Sequence, residues 1–164
     1  METTLPRRIV SGGSTQLHVN GTYTFKADKQ AVYDTMMSKD ALMHCLPGCE
    51  NMEEIGEDAY RATLKIGIAG IKGTYTCTIR TTEKVPLETW TLTIEGQAKT
   101  GNVKGVGRFS LADAEGGTEL TYDGDADIMG PLAGIGQRML VPASRTIIGK
   151  FFECMSGQVS GSSQ

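Results

Sequence analysis

The sequence predicts an α+β fold: a curved antiparallel sheet of about seven strands wrapped around a long C-terminal helix, with two short helices after the first strand. Three observations carry that prediction. Apolar and polar residues alternate through most of residues 60–128. The breaks in the alternation fall at turn-forming residues. One long pattern with spacings of three and four then closes the chain between Leu132 and Met155.

Each element has its own justification. Leu17–Phe25 (LHVNGTYTF) alternates as a strand, weakened only by Gly21. Asp28 suits the N-cap of a helix over Lys29–Met37, with Val32, Tyr33 and Met36 on one face. Ser38 suits the cap of a second, over Asp40–Cys45. The period then becomes two. Tyr60, Ala62, Leu64, Ile66 and Ile68 share a face, and so do Tyr75, Cys77 and Ile79. Trp90, Leu92 and Ile94 follow, then Phe109 and Leu111, then Leu120, Tyr122, Ala126 and Ile128. Breaks fall at Gly56-Glu57-Asp58, Gly67 to Gly73, Val85-Pro86, Thr100-Gly101-Asn102 and Gly116-Gly117. Gly130-Pro131 opens the last pattern, in which Leu132, Ile135, Met139, Ala143, Ile147, Phe151 and Met155 recur. Pro142 deletes the backbone hydrogen bond to Arg138 and is expected to bend that helix. Residues 1–14 read as a flexible tail, 15–158 as the domain, and 159–164 as a disordered end.

A sheet with one apolar face needs a cover, and the long helix is the element able to supply it. Function is expected in the space between them.

Composition removes several classes. A net charge of −3 and a pI near 5.4 leave no basic footprint for nucleic acid. The apolar runs are far shorter than the roughly 20 residues that span a bilayer. Arg7-Arg8 is not followed by the apolar stretch of roughly 7–15 residues that a cleaved export signal requires. Four cysteines in 164 residues make no disulfide framework, and a cytoplasmic location would keep them reduced.

The stretch His44-Cys45-Leu46-Pro47-Gly48-Cys49-Glu50 carries four metal-ligand types. His44 and Cys45 point about 100° apart on a helix, and Cys49 and Glu50 point to opposite faces of a strand. With no second ligand pair, no metal is expected, and Pro-Gly marks a type II turn between helix and sheet. Asp123, Asp125 and Asp127 imitate the start of a calcium loop, but Ile128 and Gly134 stand where its glycine and glutamate belong. Gly105 and Gly107 share parity with Phe109 and Leu111. They either leave room on the inner face or let the sheet bend. His18 and His44 join no nucleophile–base pattern. Gln137 and Arg138 are surface residues or, near a cavity mouth, contacts for a ligand's polar head.

Several of these segments together resemble the CoxG family of carbon monoxide dehydrogenase subunits, within the START-like, SRPBCC, helix-grip superfamily. They are LPGCE at 46–50, Tyr60-Arg61-Ala62, GIAGIKGTY at 67–75, GVGRFSL at 105–111, Gly117 to Tyr122, GPLAGIGQRM at 130–139 and Phe151-Phe152. The resemblance spans about residues 17–156. It implies a helix-grip fold with an apolar cavity. It also implies a non-catalytic role beside a molybdenum hydroxylase of the carbon monoxide dehydrogenase type, with peripheral contact at the inner face of the membrane. The expected ligand is a hydrophobic small molecule, a quinone or isoprenoid lipid, with no covalent or metal cofactor. Inward parity assigns its lining to Leu64, Ile66, Tyr75, Trp90, Leu92, Phe109 and Tyr122 from the sheet. Gln137, Met139, Ile147 and Phe151 come from the helix. The alternatives are a cyclase or hydratase using Tyr or Asp in the same cavity, and a structural adaptor with a filled core.

Overall fold

The structure is a computed structural model that describes residues 14–162 except Ala69. The tail expected over residues 1–14 lies outside the described residues except for Ser14, which opens β1.

The chain runs β1 (Ser14–Phe25), α1 (Lys29–Met36), α2 (Lys39–Cys45), β2 (Cys49–Gly56), β3 (Ala59–Ile66) and β4 (Gly73–Val85). It continues with β5 (Thr89–Ala98), β6 (Gly101–Ala114), β7 (Gly117–Met129), a short 3-10 helix (Pro131–Ile135) and α3 (Gln137–Ser162). The strands form one antiparallel sheet in the order β1-β7-β6-β5-β4-β3-β2. β1 therefore lies beside the last strand, and the two short helices carry the chain to the opposite edge.

The local signals act as chemistry requires. The Asp28 carboxylate accepts the Ala31 amide at 2.9 Å, and the Ser38 hydroxyl accepts that of Ala41 at 3.2 Å, so both short helices are capped. After α2 the Pro47-Gly48 turn places Gly48 at φ +73°, and its carbonyl accepts the Lys65 amide at 2.7 Å. A side chain at Gly48 would run into the Lys65 carbonyl.

Packing is uneven along the inner face. At the α1 end, Phe25, Val32, Leu120 and Met155 are fully buried. Tyr33 meets Trp90 edge-on at 5.6 Å, and Trp90 stacks on Phe109 at 5.3 Å. At the other end Leu132 and Ala133 of the 3-10 helix close the core. This helix is held by Thr15 Oγ1 donating to the Ala133 carbonyl at 2.8 Å and by the Leu132 amide donating to the Thr100 carbonyl at 2.6 Å.

Two expectations are corrected. The final helical pattern is two elements, because Gly136 adopts φ +82° and separates the 3-10 helix from α3. Pro142 then falls in the second turn of a helix that runs on through it, at the cost of one exposed carbonyl's partner. α3 extends to Ser162 with Val159 buried, and the end expected to be disordered, 159–164, lies partly outside the described residues. The cysteines differ as well. Cys45 of α2 is disulfide-bonded to Cys154 of α3, 109 residues away, with Cα atoms 5.4 Å apart. Cys49 and Cys77 are free. The cross-link joins faces that meet only after α3 crosses α2.

Candidate functional site

The hollow lies in the middle third of the sheet. There α3 packs on β1, α1 and α2, leaving the middle of the inner face of β4 to β6 without a helix pressed against it. Inward residues that a filled core would bury, among them Leu92, Ile94, Phe109 and Tyr122, are only half-buried.

The glycines explain why. Gly107 pairs with Gly124 across β6 and β7, Gly105 pairs with Ala126, and Leu92 and Ile94 of β5 stand opposite Gly107 and Gly105. Four neighbouring inward positions therefore carry a hydrogen or a methyl, and the sheet's own backbone becomes the floor. A Cβ at Gly105 would make only ordinary contacts, at 3.6 Å with the Asp125 carbonyl and 3.7 Å with the Ala126 methyl. None of these glycines has a left-handed φ; a Cβ at Gly107 would press on the Phe109 ring and one at Gly124 on the Val106 carbonyl, each at 3.2 Å, so Gly105 is the position with room to spare.

The result is a cavity of about 240 Å³. Its walls are Leu17 and Val19 of β1, Leu42 of α2, Leu46 just after it, and Ile79, Leu92 and Ile94 of the sheet. Ser144, Ile147, Ile148, Phe151 and Phe152 of α3 form the roof. Two hydroxyls, on Tyr122 and Ser144, break the apolar lining. The Tyr122 oxygen lies beside Gly21, where a side chain would collide with it. Asp123 and Asp125 border the cavity by backbone, and their carboxylates lie on the outer face. There His18 Nδ1 meets Asp125 at 2.7 Å, and Arg108 donates to Asp123 and Asp125 at 3.0 and 2.9 Å. The Asp125 hydrogen bond holds His18 above its ordinary pKa, and that same bond holds Asp125 below its own.

Of the residues assigned to the lining from sequence, Leu92, Phe109, Tyr122, Ile147 and Phe151 are at the cavity. The others are placed elsewhere. Ile66 and Trp90 are core residues, and the buried Tyr75 donates its phenol to the Ile71 carbonyl at 2.7 Å. Leu64, half-buried beside them, packs against the core. Gln137 donates its amide to the Gln16 carbonyl. Met139 is 49% exposed, and Leu140 is the buried residue of that turn. The cause is geometric. A ladder of +4 steps advances about 40° per step, so the four steps from Met139 to Met155 turn through about 160°. Met155 is at the core, and Met139 therefore faces out.

Sequence reasoning missed Leu17, Val19, Leu42, Leu46, Ile79, Ile94, Ser144 and Ile148. Ile94 shared parity with Leu92, and Val19 shared parity with Leu17, so strand alternation could have found them. Nothing local marks Leu42 or Ser144.

With the geometry established, comparison with known families matches the model for CoxG, a carbon monoxide dehydrogenase subunit, over residues 21–160. The chain belongs to that family. A crystal structure of a conserved protein from Geobacillus kaustophilus is similar to this CoxG family member at 35% identity and a TM-score of 0.86, covering 89% of this chain and 97% of that one. Two more distant structures show the shared helix-grip fold. A protein of unknown function from Staphylococcus aureus has 15% identity and a TM-score of 0.68, covering 92% and 98% of the two chains. An aromatase/cyclase from Streptomyces sp. R1128 has 14% identity and a TM-score of 0.63, covering 92% and 97%. Comparison with curated proteins returns no match. Among the described residues no helix is long and apolar enough to cross a membrane.

Proposed function

We propose that this CoxG family member is a binding protein that carries a quinone or other isoprenoid lipid in its cavity. On this reading it serves a molybdenum hydroxylase of the carbon monoxide dehydrogenase type, exchanging the ligand through peripheral contact with the membrane. One observation carries the proposal: an apolar cavity floored by glycines, with two hydroxyls as its polar side chains. Such a lining rewards an apolar body and offers one or two hydrogen bonds to a carbonyl or hydroxyl head. A volume of about 240 Å³ encloses a ring and the first part of a tail, so a longer tail would extend beyond it.

The same lining disfavours the cyclase or hydratase reading. Proton transfer needs a titratable group within reach of the ligand; the lining leaves the Tyr122 phenol for that role, because the strand carboxylates are engaged with His18 and Arg108 outside. Organic extraction of purified protein followed by mass spectrometry tests the proposal. The expected extract contains a quinone or isoprenoid lipid in near-stoichiometric amount. Empty extracts, together with failure to load decylubiquinone, would overturn it.

A further inference from the structure

We propose that the Cys45–Cys154 disulfide is a redox latch on the cavity wall, closed when oxidised and released when a dithiol reduces it. As a gate for ligand the latch rests on the binding reading above; as a conformational device it stands on geometry alone.

The bond sits where two walls of the cavity meet. Leu42 and Leu46 flank Cys45 in sequence, and Phe151 lies one helical turn before Cys154; all three side chains line the cavity. The α2 segment is also a short part of that wall. It has seven residues, too few for a helix to persist without tertiary support. It is tethered by the Ser38 cap at one end and the Pro47-Gly48 turn at the other. Between those tethers the disulfide and the buried Ala41, Leu42 and Cys45 side chains hold it in place. Breaking the covalent tie leaves the end tethers, the apolar contacts and the long contact of the Cys154 sulfur with the His44 carbonyl at 3.9 Å.

The chemistry has a direction. Cys154 is partly exposed and Cys45 is buried, so an incoming thiolate reaches the Cys154 sulfur. Attack there breaks the S–S bond and expels Cys45 as a thiolate, which takes up a proton. The second thiol of the reductant then attacks the mixed disulfide, frees Cys154 and closes its own disulfide. Two electrons and two protons pass from the dithiol to the pair, and oxidation reverses the sequence. The other thiols are poor competitors. Burial pushes Cys77 up to about 11, and burial also raises Cys49, whose sulfur is hydrogen-bonded to the Asn51 carbonyl.

The experiment compares the full chain equilibrated in oxidised glutathione with the same chain in dithiothreitol. Peptide mapping is expected to find Cys45 linked to Cys154 in the first sample only; absence of that link overturns the proposal. Hydrogen exchange at residues 39–46 is expected to quicken about tenfold on reduction, the factor that 1.4 kcal/mol of lost restraint produces. Equal protection with the link present overturns it. Decylubiquinone release, measured after dithiothreitol has been removed under anaerobic conditions so that it cannot reduce the quinone, and followed through the single tryptophan, Trp90, is expected to accelerate by a similar factor. Equal release rates with the link present overturn the gate. A Cys45→Ser/Cys154→Ser double variant should behave as the reduced protein under both conditions. If that variant does not fold, reduced wild-type protein supplies the same comparison. If decylubiquinone binds in neither state, the binding reading fails, and hydrogen exchange still decides the latch.

Discussion

The inner face of the sheet is filled at the α1 end and hollow in its middle, although the same alternating strands build both. At the filled end β1, β5, β6 and β7 place Phe25, Trp90, Leu111 and Leu120 toward the helices, and each is nearly or fully buried. In the middle, beyond Phe109 and Tyr122, the inward positions of β6 and β7 are Gly107 paired with Gly124 and Gly105 paired with Ala126. The cavity therefore arises by deletion of neighbouring side chains, with the backbone ladder unbroken. One region stabilises the molecule, and the other trades packing for space.

That contrast can be broken from its filled side first. Phe25→Ala removes a fully buried ring that touches Tyr23 and Phe152, and is expected to cost about 3–5 kcal/mol in urea unfolding. Next comes the tie between the regions. In oxidised protein Cys45→Ser is expected to lower stability by about 2–4 kcal/mol, since the cross-link closes a loop of more than a hundred residues. In reduced protein most of that difference disappears. Gly105→Val reverses the sign. A β-branched residue replaces a strand glycine whose added Cβ meets only ordinary contacts, so the unfolding free energy measured in urea is expected to hold or rise, by up to about 1 kcal/mol.

The smallest effect lies on the outer face. His18 has a raised pKa, so its contribution is present below its ordinary 6.5 and is lost as pH rises through the folded value. Asp125 has a lowered pKa, so its contribution is present above its ordinary 3.8 and is lost as pH falls through the folded value. The cluster is therefore best paired between those limits. An NMR titration should find His18 above 6.5, returning toward it in Asp125→Asn. Both groups are exposed, so unfolding stability should barely register the change.

Much of the fold was legible because short-range chemistry governs it. Asp28 and Ser38 cap as their side chains require, and strand alternation places Leu92, Phe109 and Tyr122 inward. What was not legible depends on long-range geometry or accumulated angle. Met139 and Leu140 are one residue apart, and only the drift of the helical ladder separates outside from inside. Glycine has the same ambiguity. Gly105 leaves room, whereas Gly117 has none, because a side chain there would strike the Phe25 carbonyl. Cys45 and Cys154 show no local pattern, since their meeting depends on how α3 crosses α2.

The central claim is that the glycine-floored hollow is a ligand site. It is tested most directly by titrating wild type and Gly105→Val with decylubiquinone while following Trp90, which stacks on the lining residue Phe109. The account predicts saturable quenching at one ligand per chain in wild type, and its loss in a variant with an undiminished urea midpoint. Equal quenching of the two proteins would contradict it.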